Sequence, residues 1–205
     1  MVVMALGAGI FFYWFSWIFW IIITFLMNKS KFRTVLAYWI LLSIIVSPFT
    51  LMIGGYSVAM TVFLLLFGTI LLLVRQQQII FNLFKSFTIM VGYTSLLFWE
   101  KISPIWIIAP RIILFSIIIG SIVTLISRDF YSRIGICLLG MLVGEVIYSF
   151  ILASYGLHEH IGEMIFLDTL SWALLLLTIL DILHKGKRKI SKYNTKLQTK
   201  LEVAK

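Results

Sequence analysis

The chain has 205 residues, of which 61% are hydrophobic and 12% charged, and its mean hydropathy is +1.07. Average soluble domains are about 45–50% apolar and about 25% charged, and a water-soluble fold of this size has no interior large enough to hide the surplus. Lipid is therefore the solvent that the composition demands. The net charge of +9 does not point to nucleic acid, because eight of the seventeen Lys and Arg residues lie from Lys185 onward, behind the last apolar stretch. Cytoplasmic orientation and anionic lipid favour a basic block in that place.

Residues 1–27 carry no charge. The basic leader of a signal peptide is missing and the apolar run outlasts a signal h-region, so the first span is expected to stay in the mature protein. A helix needs about 20 apolar residues to cross a hydrocarbon core of about 30 Å. Spans of that kind are predicted at 7–27, 34–51, 57–74, 79–99, 104–126, 134–155 and 163–183, followed by a basic tail at 185–205. The expected fold is all-α, a polytopic membrane bundle of about seven transmembrane helices in one domain, without an internal repeat. Short breaks between spans make consecutive helices antiparallel. Pro48 and Gly54-Gly55 mark the one alternative, a re-entrant hairpin over 34–74 that lowers the count to five.

Charge sets the expected direction. The first connection carries Lys29, Lys31 and Arg33, the third Arg75, the fifth Arg128 and Arg133, whereas the second has no basic residue and the fourth sets Lys101 against Glu100. The positive-inside rule then puts the N-terminus outside and the C-terminus inside. Eight of the ten residues from Phe11 to Trp20 are aromatic, and this topology places most of them, with Trp99, Trp106 and Trp172, in the outer half, where indoles anchor at the interface.

The stretch Phe11-Phe12-Tyr13-Trp14-Phe15-Ser16-Trp17, followed by Phe25-Leu26-Met27 and the basic Lys29 to Arg33, resembles the opening of the YphA family, small multispanning membrane proteins of Bacillus-type bacteria with similar length and hydropathy. The resemblance implies a bacterial plasma membrane and carries neither an activity nor site residues with it.

Ionisable side chains inside a span are costly and each asks for a role. Glu145 lies twelve residues beyond Arg133, about 18 Å along a helix and so near mid-membrane. It is either a proton, cation or substrate site, or a paired structural carboxyl. Asp168 sits near the outer end of the last span on a stripe with Ser171 and Thr178, and Asp181 lies further along. Arg111, after Pro110, is placed either to neutralise Glu145 or Asp168, or to snorkel outward as Lys85 does inward. Gly140 and Gly144 form a GxxxG spacing that lets another backbone approach, expected within the molecule rather than at a dimer seam.

The His158-Glu159-His160 run with Glu163 lacks the zinc-protease order and reads as a solvated polar loop, and Cys137 as a small packing residue. Ile190, Tyr193, Leu197 and Leu201 recur at helical spacing among lysines, which fits either a helix on anionic lipid or a disordered tail. The chain holds no catalytic motif, metal site or cofactor fingerprint, so an enzyme is not expected and no cofactor is implied. Two functions remain. One is a structural or accessory component of the cell envelope, with lipid, another membrane protein or a second copy as partner. The other is a small proton-coupled transporter built on Glu145, with Asp168 and Arg111.

Overall fold

The computed structural model describes residues 7–76, 78–102, 110–157 and 159–203, with side-chain surroundings through residue 187. Trp106, His158, the opening of the 104–126 span and the side chains of Ile190, Tyr193, Leu197 and Leu201 lie outside that description. Among the described residues the chain forms seven α-helices and one β-hairpin: α1 (Ile10–Ile21), α2 (Lys31–Val46), β1 (Thr50–Ile53), β2 (Tyr56–Ala59), α3 (Met60–Val74), α4 (Ile79–Ile102), α5 (Arg111–Ile126), α6 (Phe130–Ser154) and α7 (Met164–Val203). A five-residue π-helical turn, Ile22–Leu26, continues α1. Ser30 starts α2 by accepting the Arg33 N–H on its hydroxyl at 3.2 Å, which satisfies one of the donors every helix leaves open at its first turn.

Each predicted span contains a helix, with departures at the hairpin and in the span 104–126, where Pro110 is not helical and α5 starts at Arg111. The predicted span 34–51 ends at Val46, and Thr50 and Leu51 belong to β1; the span 57–74 starts its helix at Met60, after β2. Hydropathy carried the first span into β1 through Leu51 and the second back into β2 through Val58 and Ala59, because these residues are as apolar as those of a membrane helix. The backbone turns sharply at Gly54 (φ 59°) and Gly55 (φ 87°), the two left-handed positions of the tight turn that joins antiparallel strands. Register runs from Thr50 opposite Ala59 to Ile53 opposite Tyr56. Residues 50–59 thus form a β-hairpin between the helices α2 and α3. At the other extreme α7 does not stop at the basic tail but continues through it to Val203.

Pairwise contacts set the direction of each helix. Tyr13, early in α1, shares a 2.8 Å hydrogen bond with Ser47 at the end of α2. Leu73 at the end of α3 packs on Gly135 at the start of α6. Gln76 Oε1, just before α4, accepts from Asn82 of α4 and from Ser132 of α6 at 2.6 and 2.8 Å, so α4 and α6 start side by side. Ser116 of α5 donates to the Thr169 carbonyl of α7 at 2.8 Å, each a few residues into its helix. Consecutive helices therefore alternate. One end of the bundle gathers the start of α1, the hairpin, the end of α4, the start of α5 and the α6–α7 connection. The other gathers the basic connections, where Arg75 lies over Phe32, Phe32 meets Tyr131, and Lys185 lies over Phe130.

The core surrounds α6, where Ile136, Cys137, Met141 and Leu142 are fully buried. The outside is as apolar as the inside: Trp14, Phe25, Phe67, Phe84, Leu125 and Ile182 are all exposed. Three helices are long and apolar enough on their own to cross a membrane, Ile79–Ile102, Phe130–Ser154 and Met164–Lys187. At 1.5 Å per residue, 24 residues reach about 36 Å against a hydrocarbon core of about 30 Å. An all-α bundle with an apolar exterior is the architecture of an integral membrane protein.

Candidate functional site

Four helices converge on Tyr93 of α4. Its ring is fully buried, edge-on to Phe115 of α5 at 6.5 Å between centroids and tilted against Phe166 of α7 at 6.2 Å. Its hydroxyl donates to Glu145 Oε2 on α6 at 3.0 Å. Glu145 is 6% exposed, and burying a carboxyl without a donor is expensive, so Tyr93 is what makes that position tolerable. The sequence drew no attention to Tyr93, because one tyrosine among many aromatics in apolar spans carries no signal until its level is matched to Glu145 across two parallel helices.

Arg111 approaches the same place from the start of α5. Its Nε lies 3.1 Å from Glu100 Oε2, at a distance for an ion pair though without the alignment of a hydrogen bond, and its guanidinium sits over the Phe115 ring at 5.7 Å. That same Phe115 ring meets Tyr93 edge-on. The groups follow one another from Glu100 at the helix end through Arg111, the Phe115 ring and Tyr93 to Glu145 in the interior. Arg111, expected to neutralise Glu145 or Asp168, has Glu100 as its ion partner, and Glu145 has Tyr93 as its donor.

Asp168 belongs to a different construction. It is 2% exposed, and its two carboxylate oxygens accept the backbone N–H groups of Gly9 at 2.8 Å and Phe12 at 2.7 Å. Gly9 has no side chain to cap α1, so a carboxylate from α7 does it from outside, filling open donors at the positive end of the helix dipole. Phe11 and Phe15 close around it by stacking edge-on against Trp172, at 5.6 and 5.0 Å. Ser171 is buried beside it, and Asp181 pairs with Lys185 at 2.6 Å. Asp168 therefore does not join Glu145 and Arg111. Its partners are backbone amides more than 150 residues away, which leave no mark in a sequence.

Gly140 and Gly144 pack α6 against α4 within the chain. A Cβ at Gly140 would sit 2.6 Å from the Ile89 Cβ and 2.9 Å from the Ser86 carbonyl oxygen; one at Gly144 would sit 3.0 Å from Tyr93 Cδ1. Thr94 uses the proximity to donate to the Gly144 carbonyl at 3.1 Å. Cys137 is buried with its thiol 3.8 Å from the Met141 sulfur, as a packing residue would be. Lys85 is half-buried on α4.

At the hairpin end the polar loop is tied down rather than free. Lys101 pairs with Glu159. His160 Nδ1 meets the Ser57 hydroxyl, and Ile161 bridges β2 through its N–H to the Ser57 carbonyl and its carbonyl to the Ala59 N–H, both 2.9 Å. No three His, Cys, Asp or Glu side chains gather among the described residues. What this arrangement can do chemically is hold helices: each buried carboxylate is matched by donors from another helix.

Two comparisons with known proteins fit this architecture. The chain is 25% identical over 171 residues, covering 82% of it and 84% of the relative, to a protein of Bacillus subtilis (strain 168) that carries the name Uncharacterized protein YphA. No solved structure matches. The family model described as YphA-like integral membrane protein matches residues 8–202, nearly the whole chain, and the protein belongs to that family of integral membrane proteins.

Proposed function

We propose that this protein is a non-catalytic structural or accessory component of the bacterial plasma membrane, crossing it seven times with the hairpin end outside and the basic end in the cytoplasm. The observation that carries the reading is how the interior carboxylates are used. Both Asp168 oxygens cap α1, and Glu145 accepts from Tyr93 across the close contact of α4 with α6. A transporter needs an ionisable group free to exchange its ligand, whereas these two are engaged in fastening helices.

Orientation follows from the gathering of Lys29, Lys31, Arg33, Arg75, Arg128 and Arg133 at one end, the end that the positive-inside rule assigns to the cytoplasm. The lysine-rich continuation of α7 would then meet anionic lipid headgroups. Trp14, Trp17, Ile21 and Phe25 give α1 an outward apolar face toward lipid or another membrane protein.

Reconstitution into vesicles loaded with a pH-sensitive dye tests the role. An imposed proton gradient should decay at the rate of empty vesicles, in the native protein and in Glu145→Gln alike. A flux present in the native protein and lost in Glu145→Gln would overturn this reading in favour of proton-coupled transport. Orientation is tested by thiol labelling in whole cells, helped by the burial of Cys137, the sole native cysteine. Met52→Cys, at an 85% exposed position, should react with an impermeant reagent, and Lys29→Cys only after the membrane is opened.

A further inference from the structure

The segments that meet at the hairpin end leave a cleft of about 370 Å³ between the end of α2, the hairpin and the start of α7. That is within the size range of small-ligand sites, about 300–1,000 Å³. Its walls are mostly apolar, with Pro48, Ala59, Ile161 and Ile165 among them, and His160 and Glu163 lie at its polar side. Its place at an end of the bundle sets it where hydrocarbon gives way to headgroups.

The charges at this end sort themselves. Glu100 faces Arg111, Glu159 pairs with Lys101, and Asp168 is taken by the amides of α1. Among the described residues Glu163 has neither a cation within ion-pair distance nor, unlike Asp168, amide donors on its carboxylate, and it lines the cleft. No Lys or Arg lines the cleft with it. An unmatched carboxylate beside an apolar hollow is complementary to a positive charge carried on hydrocarbon. Soluble cations match only the first property and neutral lipids only the second.

We infer that this cleft binds the ammonium end of a membrane amphiphile, with Glu163 meeting the positive charge and the apolar walls meeting the first carbons of its chain. The inference needs the bundle to cross the bilayer with the hairpin end at one surface, and does not depend on the accessory role. Two sources carry such a group: an aminophospholipid of the surrounding leaflet, and a free long-chain amine.

The full-length protein in nanodiscs of phosphatidylglycerol, titrated with dodecylammonium, should bind it saturably, and dodecanol and dodecanoate far more weakly. Glu163→Gln, a change at an exposed position, should weaken dodecylammonium binding about fivefold, the upper range for a partly solvated ion pair. Thr50→Trp, on the exposed strand at the cleft mouth, should block it while thermal unfolding of the protein is unchanged. Replacing part of the phosphatidylglycerol with phosphatidylethanolamine separates the sources. Competition with dodecylammonium identifies the lipid as a ligand, and undiminished saturable binding identifies the free amine. Equal affinity for dodecanol, or native affinity in both Glu163→Gln and Thr50→Trp, would overturn the assignment.

Discussion

The seam between α4 and α6 and the joint between α1 and α7 are both buried and both contain a carboxylate, yet they are assembled in opposite ways. Along the seam the contact is made by shape. Gly140 and Gly144 bring the backbones together against Ile89 and Tyr93, and hydrogen bonds from Thr94 and Tyr93 cross the same contact. At the joint the contact is made by one side chain, since Asp168 holds the start of α1 by its amides and the rings of Phe11, Phe15 and Trp172 close over that link. Membrane helices have little hydrophobic drive to associate, and close packing and interhelical hydrogen bonds are the two means left. This molecule uses one at each place, with the other in support. Glu145 and Asp168 should therefore differ sharply in what their removal costs.

The largest effect is expected where shape is the contact. Gly140→Ala puts a methyl group 2.6 Å from the Ile89 Cβ and 2.9 Å from a backbone oxygen, and neither can swing away as the tip of a flexible side chain can. Overpacking of this kind costs about 3 kcal/mol, to be read from unfolding in mixed micelles. Gly144→Ala should cost clearly less, because the new methyl would meet Tyr93 Cδ1 at 3.0 Å, and a ring edge can yield. Equal losses at the two glycines would mean that α4 and α6 are not held by close approach.

Next comes the joint. Asp168→Ala strands the Gly9 and Phe12 amides in a buried place, worth about 2 kcal/mol. Asp168→Asn keeps one acceptor oxygen and should lose about half of that. The loss should be local: amide hydrogen exchange is expected to rise over the first turn of α1 while α4 and α6 stay protected. A loss spread evenly over the bundle would remove the distinction between joint and seam.

The two places also differ in how far the sequence revealed them. GxxxG is a local spacing, so the seam was visible in Gly140 and Gly144 and only the identity of the facing helix was missing. The helices themselves were legible because an apolar run of the right length has one use in lipid. Residues 50–59 were not, since hydropathy registers Leu51, Met52 and Ile53 without their period, and the Gly54-Gly55 pair marks a turn without saying that strands flank it. Glu145 stood out as an ionisable residue deep in a span, but its donor did not. Asp168 was harder still, because a carboxylate bound to main-chain amides depends on where a distant backbone ends, and no residue type at positions 9 to 12 announces that.

Within the seam, removing charge while keeping shape should be mild. In Glu145→Gln the amide oxygen can still accept the Tyr93 hydroxyl, so stability should change by less than about 1 kcal/mol. Tyr93→Phe should cost more than Glu145→Gln, because it leaves a buried carboxyl without its donor. Combined in a double-mutant cycle, the two should show a coupling of about 1 kcal/mol, inside the range measured for hydrogen bonds between membrane helices. Zero coupling would leave the 3.0 Å contact without energetic weight, and with it the claim that Tyr93 is what settles Glu145 in the interior.

The smallest effect sharpens the comparison most. Thr94→Val keeps the volume and branching of the side chain and deletes only the bond to the Gly144 carbonyl, 3.1 Å long in the native seam. That oxygen lies on a helix whose own ladder can still use it, so nothing is orphaned, and the expected loss is about 0.6 kcal/mol or less. If shape drives the seam, the variant should also leave the packing of Gly144 against Tyr93 unchanged. A loss as large as that of Asp168→Ala would mean that the hydrogen bond, and not the approach of the two backbones, holds α4 to α6, and the two regions would then be built alike.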